Sequence, residues 1–279
     1  MSLKTLGPFV LIAALAACAT GKADRSPAAG PDISLATLTT VTQTLSSDSF
    51  EGRAPTTAGE EKAVALIADR FRKAGLEPGN SGSWYQEVPL VETIAAPTAL
   101  EIEGGGAPIR LTYRTDFVAN SYQIQPRVRL SDSELVFVGY GINAPERGWN
   151  DYEGVDVRGK TVVILVNDPD WQQSDLGGRF NGKAMTYYGR WTYKFEEAAR
   201  RGAAGVLIVH ETAPASYGWN TVKNSNTNVM FDIVRKDPTT DHTPLDSWIQ
   251  RDLATAIFAA SGKDFEAAKQ AAKRKDFQP

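Results

Sequence analysis

The chain has little of what metal and redox chemistry is built from: two histidines and one cysteine in 279 residues. Multi-histidine and multi-cysteine metal centres need three or four such side chains to converge, so this set excludes them. An excess of charge of either sign is also lacking. Thirty basic and 33 acidic side chains leave a formal charge of -3, without the basic footprint that phosphate backbones require, and nucleic acid is not an expected partner. Long apolar runs are missing too. The run from Leu6 to Ala17 is interrupted by Gly7 and Pro8, and twelve positions are too few to cross a bilayer core. What is present is ordinary globular composition, 42% hydrophobic and 23% charged, which excludes disordered, collagenous and polytopic membrane classes. At about 150 residues per domain, the length corresponds to two domains or to one large domain with an insertion.

The first eighteen residues have the layout of an export signal. Lys4 precedes the short apolar run, and Leu15-Ala16-Ala17-Cys18 resembles the bacterial lipobox, in which the signal (1–17) is removed and Cys18 is acylated. Several acyl chains would anchor such a protein stably where one would not. Ala19 lacks the aspartate associated with inner-membrane retention, so the resemblance implies an exported chain anchored by its lipid to the outer membrane. Residues 18–32 are small, polar and rich in Pro and Gly, the composition of a tether.

Further along, apolar positions 35, 38, 41 and 45 form a helical stripe. Thr57 and Glu60 make a capping-box pattern ahead of Val64, Ile67, Ala68 and Phe71, which predicts an amphipathic helix over 57–74 stopped by Gly75. The period then shortens to that of strands at 84–91, 99–103, 109–113 and 117–118. Runs 134–142, 161–166 and 205–209 are apolar enough for buried strands, and a helix over 191–201 between the last two makes a βαβ-like unit. A strand at 229–234, a helix over 245–260 and a last short helix over 264–275 complete the expected elements.

Few residues offer chemistry. Gly177 to Lys183 has phosphate-loop spacing, but Ala184 stands where a magnesium-holding hydroxyl is needed and no buried strand precedes it. His210 ends a buried strand and is followed by Glu211, so it is the one candidate functional position, against a plain structural role. His242 reads as part of a surface turn; Asp241-His242 could mimic part of a triad, but no serine in a nucleophile context accompanies it. Adjacent carboxylates on a helix point about 100° apart. Glu60-Glu61 therefore reads as capping and Glu196-Glu197 as a solvated face. Trp149, Trp171, Tyr187, Tyr188, Trp191, Tyr193, Tyr217 and Trp219 read as core or domain packing, with a contact surface as the alternative.

Three stretches carry a family resemblance. Phe50 to Gly59 with Ala74-Gly75-Leu76-Glu77-Pro78 resembles the opening of the secreted di-zinc aminopeptidases related to glutamate carboxypeptidase. Phe137-Val138-Gly139-Tyr140-Gly141-Ile142, with Asn150-Asp151-Tyr152, Gly154 and Val157-Arg158-Gly159-Lys160, resembles the start of the protease-associated domain inserted in those enzymes, and Lys194 to Gly205 resembles its helix and strand. The resemblance implies an α/β fold: a partial peptidase domain (33–130), an inserted β-rich α/β domain (131–262) and a segment (263–279) leading onward. In that family a His-x-Asp, further Asp and Glu residues and a final His hold two zinc ions, all after the insert. Neither His210 nor His242 begins a His-x-Asp, so no residue is carried over as metal ligand or catalytic base and this chain itself is expected to hold no cofactor. The expectation is the N-terminal fragment of an exported zinc aminopeptidase, inactive alone, whose peptide substrate and two zinc ions belong to the full-length parent and whose membrane contact is its lipid. The rival readings are a free-standing protease-associated lipoprotein that binds peptides or proteins, and a hydrolase using His210.

Overall fold

The computed structural model describes residues 33–174, 176–237 and 241–279. Cys18, the export signal and the tether lie outside the described residues. Two compact units divide at Trp84/Tyr85.

In the first unit, α1 (Leu35–Leu45) starts at Ser34, whose hydroxyl accepts the Thr37 N–H, and it buries no residue. A 3-10 turn at Asp48–Arg53 leads to α2 (Ala58–Lys73). Gly59 lets the helix press onto this turn, since a Cβ there would overlap the carbonyl oxygen of Phe50. Thr57 caps α2 as the sequence predicts, but the Glu60 carboxylate accepts the N–H of Thr56 at 2.6 Å, one residue ahead of the cap. The expected apolar stripe is only partly covered. Ala63 and Ala68 are buried, whereas Val64, Ile67 and Phe71 are 39%, 41% and 48% exposed.

The second unit opens with four short strands, β1 (Leu90–Thr93), β2 (Leu100–Ile102), β3 (Ile109–Leu111) and β4 (Phe117–Asn120). β5 (Leu135–Phe137), β6 (Asn143–Ala144), β7 (Trp149–Asn150) and β8 (Thr161–Leu165) follow, then α3 (Trp191–Arg200) and β9 (Gly205–His210). The chain closes with α4 (Thr212–Ala215), α5 (Trp219–Asn226), β10 (Met230–Ile233), β11 (Leu245–Gln250), α6 (Arg251–Ala260) and α7 (Phe265–Ala271). A five-stranded sheet in the order β4-β11-β9-β8-β5 forms the centre; its strands run parallel except β4, which is antiparallel to β11. β8, α3 and β9 are the expected βαβ unit.

Alternation along the strands builds three layers. Val163, Leu165, Leu207, Val209 and Ile249 face α6 and α7. Val162, Ile164, Val206, Ile208 and Trp248 share the other core with Phe195 and Ala198 of α3 and Val222 of α5. The fold is therefore mixed α/β, as expected.

Two expectations need correction. Leu245–Gln250 is a strand wedged between β4 and β9, and the helix begins only at Arg251. Both faces of this strand are buried, so the period-2 signal that exposes a half-buried strand is absent. The run 134–142 is not one strand: after Phe137 the chain turns through Gly139 (φ 55°) and Gly141 (φ 61°), and only glycine takes both without strain. The closing segment 263–279 packs inward, with Phe265, Ala272 and Phe277 buried in the same core as α6.

Candidate functional site

Strands β8, β9 and β11 end side by side at Leu165, His210 and Gln250. The crevice beyond the carboxyl ends of parallel strands is where open α/β sheets hold ligands. A cleft of about 460 Å³ opens there, within the size range of small-molecule sites. Tyr140, Trp171 and Trp219 give it aromatic walls, α7 presents Glu266 and Lys269 on one face, and Lys273 follows in the turn just past the helix end.

His210 lines this cleft but is 4% exposed. Its Nε2 lies 2.9 Å from the carbonyl of Tyr217. A carbonyl only accepts, which assigns the proton to Nε2 and leaves Nδ1 as acceptor. Tyr217, Trp219 and Trp248 surround the ring at centroid distances of 5.9, 5.7 and 6.3 Å. Burial pushes its pKa down, against weaker opposing pulls from the Tyr217 carbonyl and Glu211, so the imidazole is neutral. Among the described residues no hydroxyl or thiol side chain is hydrogen-bonded to it, and the nucleophile–base pair that a hydrolase of this type needs is not formed.

Glu211, next in the chain, closes a ring of charges. It pairs with Lys269 at 2.7 Å and Arg251 at 3.5 Å, and Glu266 pairs with the same two cations at 3.1 and 2.6 Å. These two cations and two anions pair across the mouth of the cleft, and Arg251 also meets the exposed Asp252 at 3.5 Å. Lys273 stands outside the ring, and its amine donates to the neutral side-chain oxygen of Gln172 at 2.7 Å.

Behind the cleft lies a buried charged group that the sequence reading did not single out. Lys194 of α3 is fully enclosed, and its Nζ donates to the carbonyls of Tyr140 at 2.6 Å and Asn167 at 3.1 Å. Asn167 in turn donates through its side-chain amide to the Pro214 carbonyl at 2.7 Å, so one lysine braces two stretches of the cleft wall. Burial pushes the Lys194 amine down, while the fields of Asp168 and Asp151 oppose the shift. Burial pushes both carboxyls up. Asp151 accepts the Ile142 N–H at 3.0 Å and the Trp149 indole at 2.8 Å; Asp168 accepts the N–H and hydroxyl of Thr186 at 2.7 and 3.0 Å. One sequence signal was available: a lysine between Tyr193 and Phe195, four residues before Ala198, falls on the apolar side of its helix.

The remaining candidates disperse. His242 is not a surface turn residue: Nδ1 bonds Asp246 at 2.8 Å and the ring stacks on Tyr122 at 4.1 Å, while Asp241 pairs with Arg235 instead. Glu197 is not solvated either, being buried between Arg200 and Arg201 at 3.0 and 2.8 Å. In the 177–183 stretch Phe180 is fully buried against Trp149, and no helix opens at its end, so no phosphate cradle forms. Of the aromatic group, Trp149 and Tyr193 are core residues, whereas Tyr187 and Trp191 are 57% and 42% exposed.

The described residues do not fit a di-zinc centre. No three His, Cys, Asp or Glu side chains converge among them. Nε2 of His210 is committed to a carbonyl, and Nδ1 of His242 to Asp246, whose other oxygen accepts from Thr243. No helix among the described residues is long and apolar enough to cross a membrane. Neither a protein-family model nor a curated protein matches the chain. Among solved structures it is similar to an aminopeptidase from Aneurinibacillus sp. strain AM-1, with 20% identity and a TM-score of 0.35 over 81% of this chain and 40% of that one. It is also similar to the zinc aminopeptidase BSAP from Bacillus subtilis, with 17% identity and a TM-score of 0.27 over 81% of this chain and 40% of that one. The chain thus spans 40% of the length of these two structures.

Proposed function

We propose that this chain is the front, non-catalytic portion of an exported zinc-dependent aminopeptidase, carrying the protease-associated domain and anchored to the outer membrane through Cys18. The observation that carries the reading is the open apolar face of α2. Val64, Ile67 and Phe71 recur at helical spacing yet remain 39%, 41% and 48% exposed, and α1 beside them in sequence buries nothing. Amphipathic helices are stabilised chiefly by packing that face, so a further segment bearing the metal ligands is its fitting cover. The three family-like sequence stretches support the same reading. Water activated by two zinc ions in that segment would supply the peptide hydrolysis; the residues described here take no step in it.

Sequencing the DNA downstream of the coding region tests the proposal. A continuation in frame or after a frameshift, encoding His-x-Asp and Glu-Glu on strand ends, is the expected result; its absence would favour the free-standing binding lipoprotein. That second reading has its own support in the complete core and cleft of residues 85–279. The purified chain with zinc and aminoacyl-anilides is expected to show no turnover. Turnover abolished by His210→Ala would overturn both readings.

A further inference from the structure

We propose that the cleft at the carboxyl ends of β8, β9 and β11 is a binding site for the C-terminal residue of a peptide, with an aromatic side chain against Trp171 and Trp219 and the carboxylate on Lys273. Arg251, Lys269, Glu211 and Glu266 already pair with one another, and Arg251 also meets the exposed carboxylate of Asp252, so a charged ligand gains little there without breaking existing pairs. Lys273 differs. It is half-buried on the cleft wall, and among the described residues its only polar partner is the neutral Gln172 oxygen. A carboxylate would set an opposite charge against an ammonium that now donates only to a neutral oxygen.

Shape and surface narrow the ligand class further. A volume of about 460 Å³ with indole and phenol walls takes an aromatic residue together with its backbone. One uncommitted cation matches a singly charged carboxylate; a phosphate would call for several donors or a bidentate arginine. The wall is also fixed in place, because Lys194 holds Tyr140 and Asn167, and Asn167 holds Pro214. Such preorganisation reduces the ordering that binding must impose. The inference does not depend on whether a metal-bearing segment joins this chain, so its failure would leave the proposed function standing.

The test is calorimetric titration of the full chain with N-acetyl-L-tryptophan and, separately, with its carboxamide. The acid is expected to fill one site and the amide to bind about tenfold more weakly, the scale of one charge-assisted hydrogen bond. Lys273→Met should erase that preference while its thermal melt matches the parent, and Lys275→Met, whose lysine does not line the cleft, should retain it. Equal binding of acid and amide, no saturable binding, or an acid preference that survives Lys273→Met overturns the assignment. Lys273-dependent binding of inorganic phosphate in place of the acid would overturn it as well.

Discussion

Replacing Lys194 by methionine keeps the length and apolar stem of the side chain while deleting its charge and its donors. Two buried carbonyls, Tyr140 and Asn167, lose partners at 2.6 and 3.1 Å, and an unsatisfied buried acceptor costs about 1–3 kcal/mol. Asp151 and Asp168 also lose the buried cation that faces them, and removing one side of a buried charge arrangement costs roughly 3–5 kcal/mol. These penalties overlap, since the same amine serves all four groups, so the expected loss near neutral pH is about 3–5 kcal/mol. For a unit of this size that corresponds to a melting temperature lower by roughly 10 °C. The dependence on pH is the sharper part. Without the amine, the folded-state pKa values of the two carboxyls rise further above their unfolded values. The stability linked to their protonation is then present at low pH and lost as pH rises through the folded values. The gap between parent and variant must therefore narrow toward pH 5. Urea unfolding followed by tryptophan fluorescence at pH 7.5 and 5 measures both quantities. A loss under about 1 kcal/mol, or a gap that does not change with pH, would show that the amine reaches water and that the bracing argument is wrong.

Two further outcomes follow from the same structure. Because burial depresses the His210 pKa, the folded chain binds fewer protons than the unfolded one just below the ordinary value of about 6.5. Stability should fall as pH drops through that window, and subtracting the unfolding curve of His210→Phe isolates the effect; parallel curves would contradict it. Gly141→Ala places a Cβ at φ 61°, within 3.0 Å of Ile164 and 3.1 Å of the Tyr152 hydroxyl. Left-handed strain of about 1–2 kcal/mol adds there to overpacking of about 1–3 kcal/mol. Gly159→Ala, at φ 71° in open space, should show only the first of these, and equal urea midpoints for the two variants would refute the steric part.

What the sequence made legible was what local periodicity encodes. α2, α3, β8 and β9 stand close to where their apolar spacing puts them, and Thr57 caps α2 as its side chain dictates. β11 was hidden because Asp246 and Ser247, polar but buried, interrupt its apolar pattern, and the helix-forming run from Arg251 follows directly. Those two residues are tolerated in the core because Asp246 bonds His242 and Thr243 and Ser247 donates to the Val118 carbonyl. The cleft was half visible. His210 at a strand end was a readable signal, whereas Lys269 and Lys273 looked like ordinary helix composition until the fold carried α7 to the same sheet edge. Convergence of distant segments has no local periodicity to reveal it.

The hydrogen bond from Ser247 to Val118 joins residues 129 positions apart, and this separation sets an order for making the protein. Threaded N-terminus first, whether from the ribosome or through a translocon, the chain presents β4 long before the strand that shelters it. During that interval Phe117, Val118 and Ala119, all buried in the finished sheet, have no neighbour to pair with. β8, α3 and β9 can assemble from local sequence meanwhile, so the sheet grows from its parallel middle and β4 locks on last. Nascent chains shorter than about 250 residues are thus the species most prone to off-pathway strand pairing.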